Sequence, residues 1–252
     1  RSLPPPLMDL SLFRNKTFSG SVTINLMSLA FLIGFVFFAT QLLQIVLGMS
    51  PLNASLALIP GQLMAIVVGI LIVPVAQRVS VNVLIPILLA FTAGAFLLVA
   101  SLGSSLTVIV VAFALLNIGV GAIATVSNDV ILSAAPANKA GAASAISETA
   151  YEVGVVLGTT VLGGLVTAYY RGTLHLPDFL SPMQMQLASE TLAGAHAISA
   201  TLAHDQASEV MGNAIQAFVG GTQLMAWATF SLAVLAIVIA RRTLKAQEAA
   251  SV

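Results

Sequence analysis

Apolar residues fill this chain in long blocks, not at the spacing of a soluble amphipathic helix or in the alternation of a half-buried strand. Six blocks are each long enough to cross a hydrocarbon layer of about 30 Å as an α-helix. They run over residues 18–47, 51–75, 83–102, 106–135, 140–168 and 215–240. Ser50-Pro51 predicts a helix start, a capping hydroxyl followed by a residue with fixed φ. Pro60-Gly61 predicts a kink, and Pro136 ends the fourth block. The missing alternation argues against a membrane β-barrel. The fold class expected is an all-α polytopic membrane protein, a bundle of six transmembrane helices.

Composition agrees with that pattern. Of 252 residues 58% are hydrophobic and 7% charged, against about 25% charged in a soluble domain. So few charges could not cover a soluble globule, and a net charge of zero leaves no basic patch for nucleic acid. With no cysteine there is no disulfide framework and no thiolate metal site. No cofactor is expected.

The placement of the charges sets the topology. Arg1, Arg14, Lys16, Arg78, Lys139, Arg241, Arg242 and Lys245 fall on one side if there are six crossings, and only Arg171 on the other. Basic residues mark the cytoplasmic side, so both ends are expected there. The division is a cytoplasmic linker over 1–17, five spans over 18–168, an outer loop over 169–213, a sixth span over 214–241 and a tail over 242–252. Arg1-Ser-Leu-Pro-Pro-Pro reads as a stiff linker, as in a piece of a longer protein. Within the loop, Ser181-Pro182 predicts one short helix. His175, His196 and His204 lie in the loop at no metal-binding spacing and read as solvated.

Three carboxylates lie inside spans, where an ionised acid costs at least a few kcal/mol and usually marks a solute or ion pathway. Glu148 and Glu152 are on the fifth span and Asp129 on the fourth. A rise of 1.5 Å per residue puts Glu148 roughly 12 Å, Glu152 roughly 18 Å and Asp129 roughly 9 Å from the inner surface. Four residues apart, the glutamates share a helix face, and two carboxylates that close in a poorly solvated site resist joint ionisation. Such a pair can hold a proton and release it when a cation arrives. Hydrogen-bonded structural acids are the alternative, and Asp129 can equally hydrate from the inner surface or pair with Lys139. Ala150, Gly154 and Gly158 form a small-residue ridge pointing away from the glutamates, suited to close helix packing. Further candidates to line a cavity are Asn117, Thr125 and Asn128 on the fourth span, Tyr151 on the fifth, and Gln41 and Gln44 near the outer end of the first.

These residues carry a family resemblance. Met8-Asp-Leu-Ser-Leu-Phe-Arg-Asn15, Gly48-Met-Ser-Pro-Leu-Asn-Ala-Ser-Leu-Ala-Leu-Ile-Pro60 and above all the run from Ala140 through Ser147-Glu148-Thr149-Ala150-Tyr151-Glu152 to Gly158 resemble the C-terminal bundle of fourteen-span drug:proton antiporters of the major facilitator superfamily, the QacA/SmvA type. Ser189-Glu-Thr-Leu-Ala-Gly-Ala-His196 and Ala217-Phe-Val-Gly220 resemble that family's last outer loop and last span. The resemblance implies a C-terminal half that exports lipophilic cations against entering protons, completed by an N-terminal six-helix half. It assigns Glu148 and Glu152 to cation recognition or proton coupling. It also implies three-plus-three inverted repeats, as superfamily members show, although no repeat is legible between the two triplets of spans. Two positions depart from the family pattern: Ser147 stands where some members carry another acid, and Arg78 alone follows the second span. A non-transporting scaffold that joins a partner chain is the competing expectation.

Overall fold

The computed structural model describes residues 10–248, with side chains described as far as Arg242. Arg1, the proline run and the side chain of Lys245 lie outside the described residues. All regular structure among those described is helical. In chain order it comprises α1 (Lys16–Gln41), α2 (Pro51–Ala76), α3 (Val81–Leu102), α4 (Leu106–Ser133), α5 (Ala140–Leu157), α6 (Gly163–Thr173), α7 (Pro182–Glu190), α8 (Leu192–Ser199) and α9 (His204–Glu248). One π-helical turn, Leu42–Val46, extends α1, and another, Gly158–Leu162, joins α5 to α6 in a single rod. Six of these rods are long and apolar enough to cross a membrane.

Local chemistry accounts for the boundaries. The Asn15 side chain accepts from the Thr17 amide (2.9 Å) to open α1, and Ser50 Oγ accepts from the Asn53 amide (3.2 Å) to open α2 at Pro51. Gly48 and Gly103 turn the chain at φ 65° and 78°, values that favour glycine. At Pro60-Gly61, where a kink was expected, and at Pro74, α2 remains helical. Each proline removes one intrahelical hydrogen bond, a loss that a membrane helix tolerates when neighbouring groups re-satisfy the carbonyl.

The segment expected as one outer loop with a short helix, residues 169–213, is mostly helical. Its first residues continue α6 to Thr173, and its last belong to α9, which begins at His204. The polar start of α9 reads as loop by composition, yet Val210 and Ala214 are buried there and hold the turns in place. The Ser181 helix forms with a full capping box, in which the Gln184 side chain returns a bond to the Ser181 amide (2.9 Å). A second helix, α8, starts at Thr191, whose hydroxyl accepts from the Gly194 amide (3.0 Å). Tyr170 ties the region down: its buried hydroxyl donates to the carbonyl oxygens of Ala188 (2.7 Å) and Thr191 (3.3 Å).

Packing shows a regularity that the sequence hides. Helix α2 lies on α4 and α5 lies on α1, while α3 packs against α4 and α9 against α1. Exchanging the triplet α1–α2–α3 with α4–α5–α9 reproduces these pairings, so each triplet lends its second helix to the other. Glycines make the two exchanged contacts close. A Cβ on Gly121 would stand 2.9 Å from the Ala65 carbonyl oxygen, and one on Gly154 would stand 2.7 Å from that of Leu26. The lending helices are lightly covered. Only 11% of the most apolar stretch of α2 is buried, against 61% for α3.

Candidate functional site

Because α2 sits on α4 and leaves α1, a cleft of about 230 Å³ opens where α1, α2, α4 and α5 converge. Its polar lining is Asn25 and Ser28 from α1, Gln62 from α2, Asn117 from α4 and Tyr151 from α5. Asn117 is buried and its Nδ2 donates to the Phe113 carbonyl (2.8 Å), so its carbonyl oxygen is the group free to face a solute. A second cleft of about 250 Å³ continues along the α2–α4 seam, lined by Thr125, Asp129 and Gln77 among aliphatic side chains. Asn117 and Asp129, one in each cleft, are twelve residues apart on α4, a rise of roughly 18 Å.

Glu148 and Glu152 lie on the exposed side of α5. The opposite side is the small-residue ridge: Ala150, Gly154 and Gly158 are buried, and a Cβ on Gly158 would stand 2.6 Å from the Ala30 carbonyl oxygen. The described residues therefore do not enclose the acids as a poorly solvated pair; both are exposed. Tyr151, between them in sequence, turns into the cleft. Asn128 does not line either cleft; its Oδ1 accepts from Ser147 Oγ (3.2 Å), which in turn accepts from Asn25 Nδ2 (3.5 Å). That bond ties α4 to α5 beside Asp129 and Glu148, the next residues in sequence. Lys139, a potential partner for Asp129, donates to Ser11 Oγ (2.9 Å).

The two glutamines of α1 are elsewhere. Gln41 lines a small void of about 30 Å³ beside Phe37 and Tyr170, and its Nε2 donates to the Phe37 carbonyl (3.3 Å). Gln44 lies half-buried in the π turn that ends α1. Neither reaches the central cleft, because the outer end of α1 packs against α6, α8 and α9. Sequence reasoning passed over Asn25, Ser28 and Gln62, and noted Ser147 only as a departure from the family pattern. The first two belong to a stripe, Thr17, Ser21, Asn25 and Ser28, whose spacing of four, four and three was open to view. His175, His196 and His204 are exposed and, among the described residues, no group of ligating side chains is placed to hold a metal ion.

Residues 2–159 match the family model of the Major Facilitator Superfamily. The chain belongs to that superfamily. This places it among transporters and not enzymes. Over 218 residues it is 42% identical to the multidrug efflux pump LfrA of Mycolicibacterium smegmatis, covering 86% of this chain and 43% of that protein. It is 26% identical over 216 residues to the methyl viologen resistance protein SmvA of Salmonella typhimurium, covering 85% of this chain and 44% of that one. The tetracenomycin C resistance and export protein of Streptomyces glaucescens is 36% identical over 166 residues, 65% of this chain and 31% of its own. The chain thus spans less than half the length of these relatives. Their names describe export or resistance, which gives the scaffold expectation no support.

Proposed function

We propose that this chain is the C-terminal six-helix half of a proton-coupled exporter of lipophilic cations in a bacterial inner membrane, with both ends cytoplasmic. The observation that carries the proposal is the two-sided build of α5. One side docks on α1 through glycines, and the other presents Glu148 and Glu152, both exposed, with none of the described residues burying them. Lipid is a poor cover, since each charge at mid-membrane costs at least a few kcal/mol. A water-filled pathway closed by an N-terminal half suits the acids. In this reading the glutamates exchange protons for the cation, Tyr151 offers it an aromatic face, and Asp129 supplies charge in the second cleft. Names of the relatives, a multidrug pump and a methyl viologen resistance protein among them, support cationic cargo.

The test is efflux of a fluorescent lipophilic cation from cells expressing the complete gene, with the proton gradient intact and then collapsed. The proposal expects gradient-dependent efflux that Glu148→Gln with Glu152→Gln abolishes at unchanged membrane abundance. Efflux undiminished in the double variant overturns the role given to the pair, and efflux indifferent to the gradient overturns proton coupling.

A further inference from the structure

Most hydroxyls within the spans fold back onto their own helix, as those of Thr23, Thr40, Thr125 and Thr149 do by donating to the carbonyl four residues earlier. Four buried hydroxyls within the spans have no hydrogen-bond partner among the described residues: those of Ser21, Ser28, Thr92 and Ser127, whose residues are 0%, 2%, 0% and 0% exposed. Thr92 stands apart on α3, whereas the three serines lie on the packed pair α1 and α4. Ser21 and Ser28 belong to the polar stripe of α1, on either side of Asn25 in sequence. Ser127 precedes Asn128 and shares a face with Ile131, one turn on, which packs with Phe18 and Val22 of α1 and Ile146 of α5. Asn25, Ser147 and Asn128 cross the same junction as a hydrogen-bonded chain.

A buried hydroxyl without a partner forfeits the hydrogen bonds it made to water, and such groups in native proteins are commonly satisfied by internal water that bonds several of them at once. We propose that the α1–α4–α5 junction holds a file of ordered water bonded to Ser21, Ser28 and Ser127 and to the Asn25–Ser147 pair. The file opens into the central cleft, since Asn25 and Ser28 line it. Toward the other end it follows the stripe to Thr17, in the first turn of α1, a distance of roughly 16 Å. The groups named are hydroxyls and amides without formal charge, so a dipole suits them better than a metal cation. Glu148 and Glu152 sit on the opposite side of α5, which makes this a second water route from the end bearing Lys16 to the cleft, separate from the acid face. The inference holds whatever solute is carried.

The test uses water itself as the probe. Single cysteines replace Ser21, Ser28 or Ser127 in the protein from the complete gene, cleared of any other cysteine, and Ala122 and Ala236 in the apolar core serve as buried controls. Infrared spectra follow S–H to S–D exchange after transfer to D2O. Seam thiols are expected to exchange roughly tenfold or more faster than the controls, which must wait for local opening. Equal rates overturn the proposal. A rate that changes when sodium replaces potassium also overturns it, by placing an ion in the seam. Should a cysteine variant fail to fold, Ser21→Ala and Ser127→Ala decide the matter by melting temperature. Removing a water-bonded hydroxyl lowers it, whereas removing a dry unpartnered one leaves it equal or higher, which overturns the proposal.

Discussion

The close approach of α5 to α1 permits a graded prediction at Gly158. A Cβ there would lie 2.6 Å from the Ala30 carbonyl oxygen and 3.0 Å from the Ile33 Cβ. Carbon and carbonyl oxygen rest at about 3.3 Å even in their closest favourable contacts, so Gly158→Ala must part the helices by roughly 0.7 Å. The obstacle is backbone and cannot rotate aside. Overpacking of this kind costs about 1–3 kcal/mol, set against a gain of about 1 kcal/mol from replacing glycine by alanine in a helix. Gly164, farther along the same rod, separates the two effects, because a Cβ there meets nothing within 4 Å. Gly164→Ala should therefore match or exceed the parent in thermal midpoint, measured in detergent on the protein from the complete gene. Gly158→Ala should fall below Gly164→Ala by about 1–3 kcal/mol. At Gly154 the corresponding contact is 2.7 Å to the Leu26 oxygen. One displacement relieves both overlaps, so the double alanine variant should lose less than the sum of the singles. If Gly158→Ala and Gly164→Ala melt together, or the double loss is additive, α5 does not seat on α1 as described.

Three further outcomes follow from single contacts. Ser147→Ala removes the link between Asn25 and Asn128 and leaves a buried amide without its partner, so unfolding free energy should drop by about 1–3 kcal/mol, with less loss when Asn25→Leu is added. Tyr170→Phe deletes the hydroxyl that holds the ends of α7 and α8, and hydrogen exchange should rise over residues 188–195 while the spans keep their protection. Thr191→Ala removes the cap of α8, worth about 0.5–2 kcal/mol; limited proteolysis near residue 191 should quicken, and unchanged cleavage would contradict the cap.

Much of the bundle was legible in the sequence because lipid imposes a simple rule, a run of about 20 apolar residues. The caps at Ser50 and Ser181 were legible because capping is local chemistry. The start of α9 was hidden, since a helix that leaves the apolar layer takes polar residues and then resembles a loop. That Gln41 lines a small void apart from the central cleft was hidden for a different reason: depth along a helix follows from counting, but the direction a side chain faces depends on which neighbour packs there. The same gap hid the crossing of α2 to α4, which leaves no local trace in either helix. It also hid Gln62, whose helix is apolar on all sides and gives no periodicity to read.

The crossing has a consequence for what surrounds these six spans. Helices α2 and α5 are the two lent across the triplets, and both keep a broad open side. That of α2 carries Leu56, Ile59, Leu63, Ile66 and Ile70; that of α5 carries Glu148 and Glu152 together with Val153 and Val156. Lipid alone suits α2 and penalises α5 by at least a few kcal/mol per charge. Water alone suits the glutamates and penalises α2 at about 25 cal/mol for each Å² of apolar surface. Neither solvent serves both helices. What does serve both is a surrounding that is apolar against α2 and wet against the acids. The N-terminal half proposed above, enclosing an aqueous path against α5, would supply it.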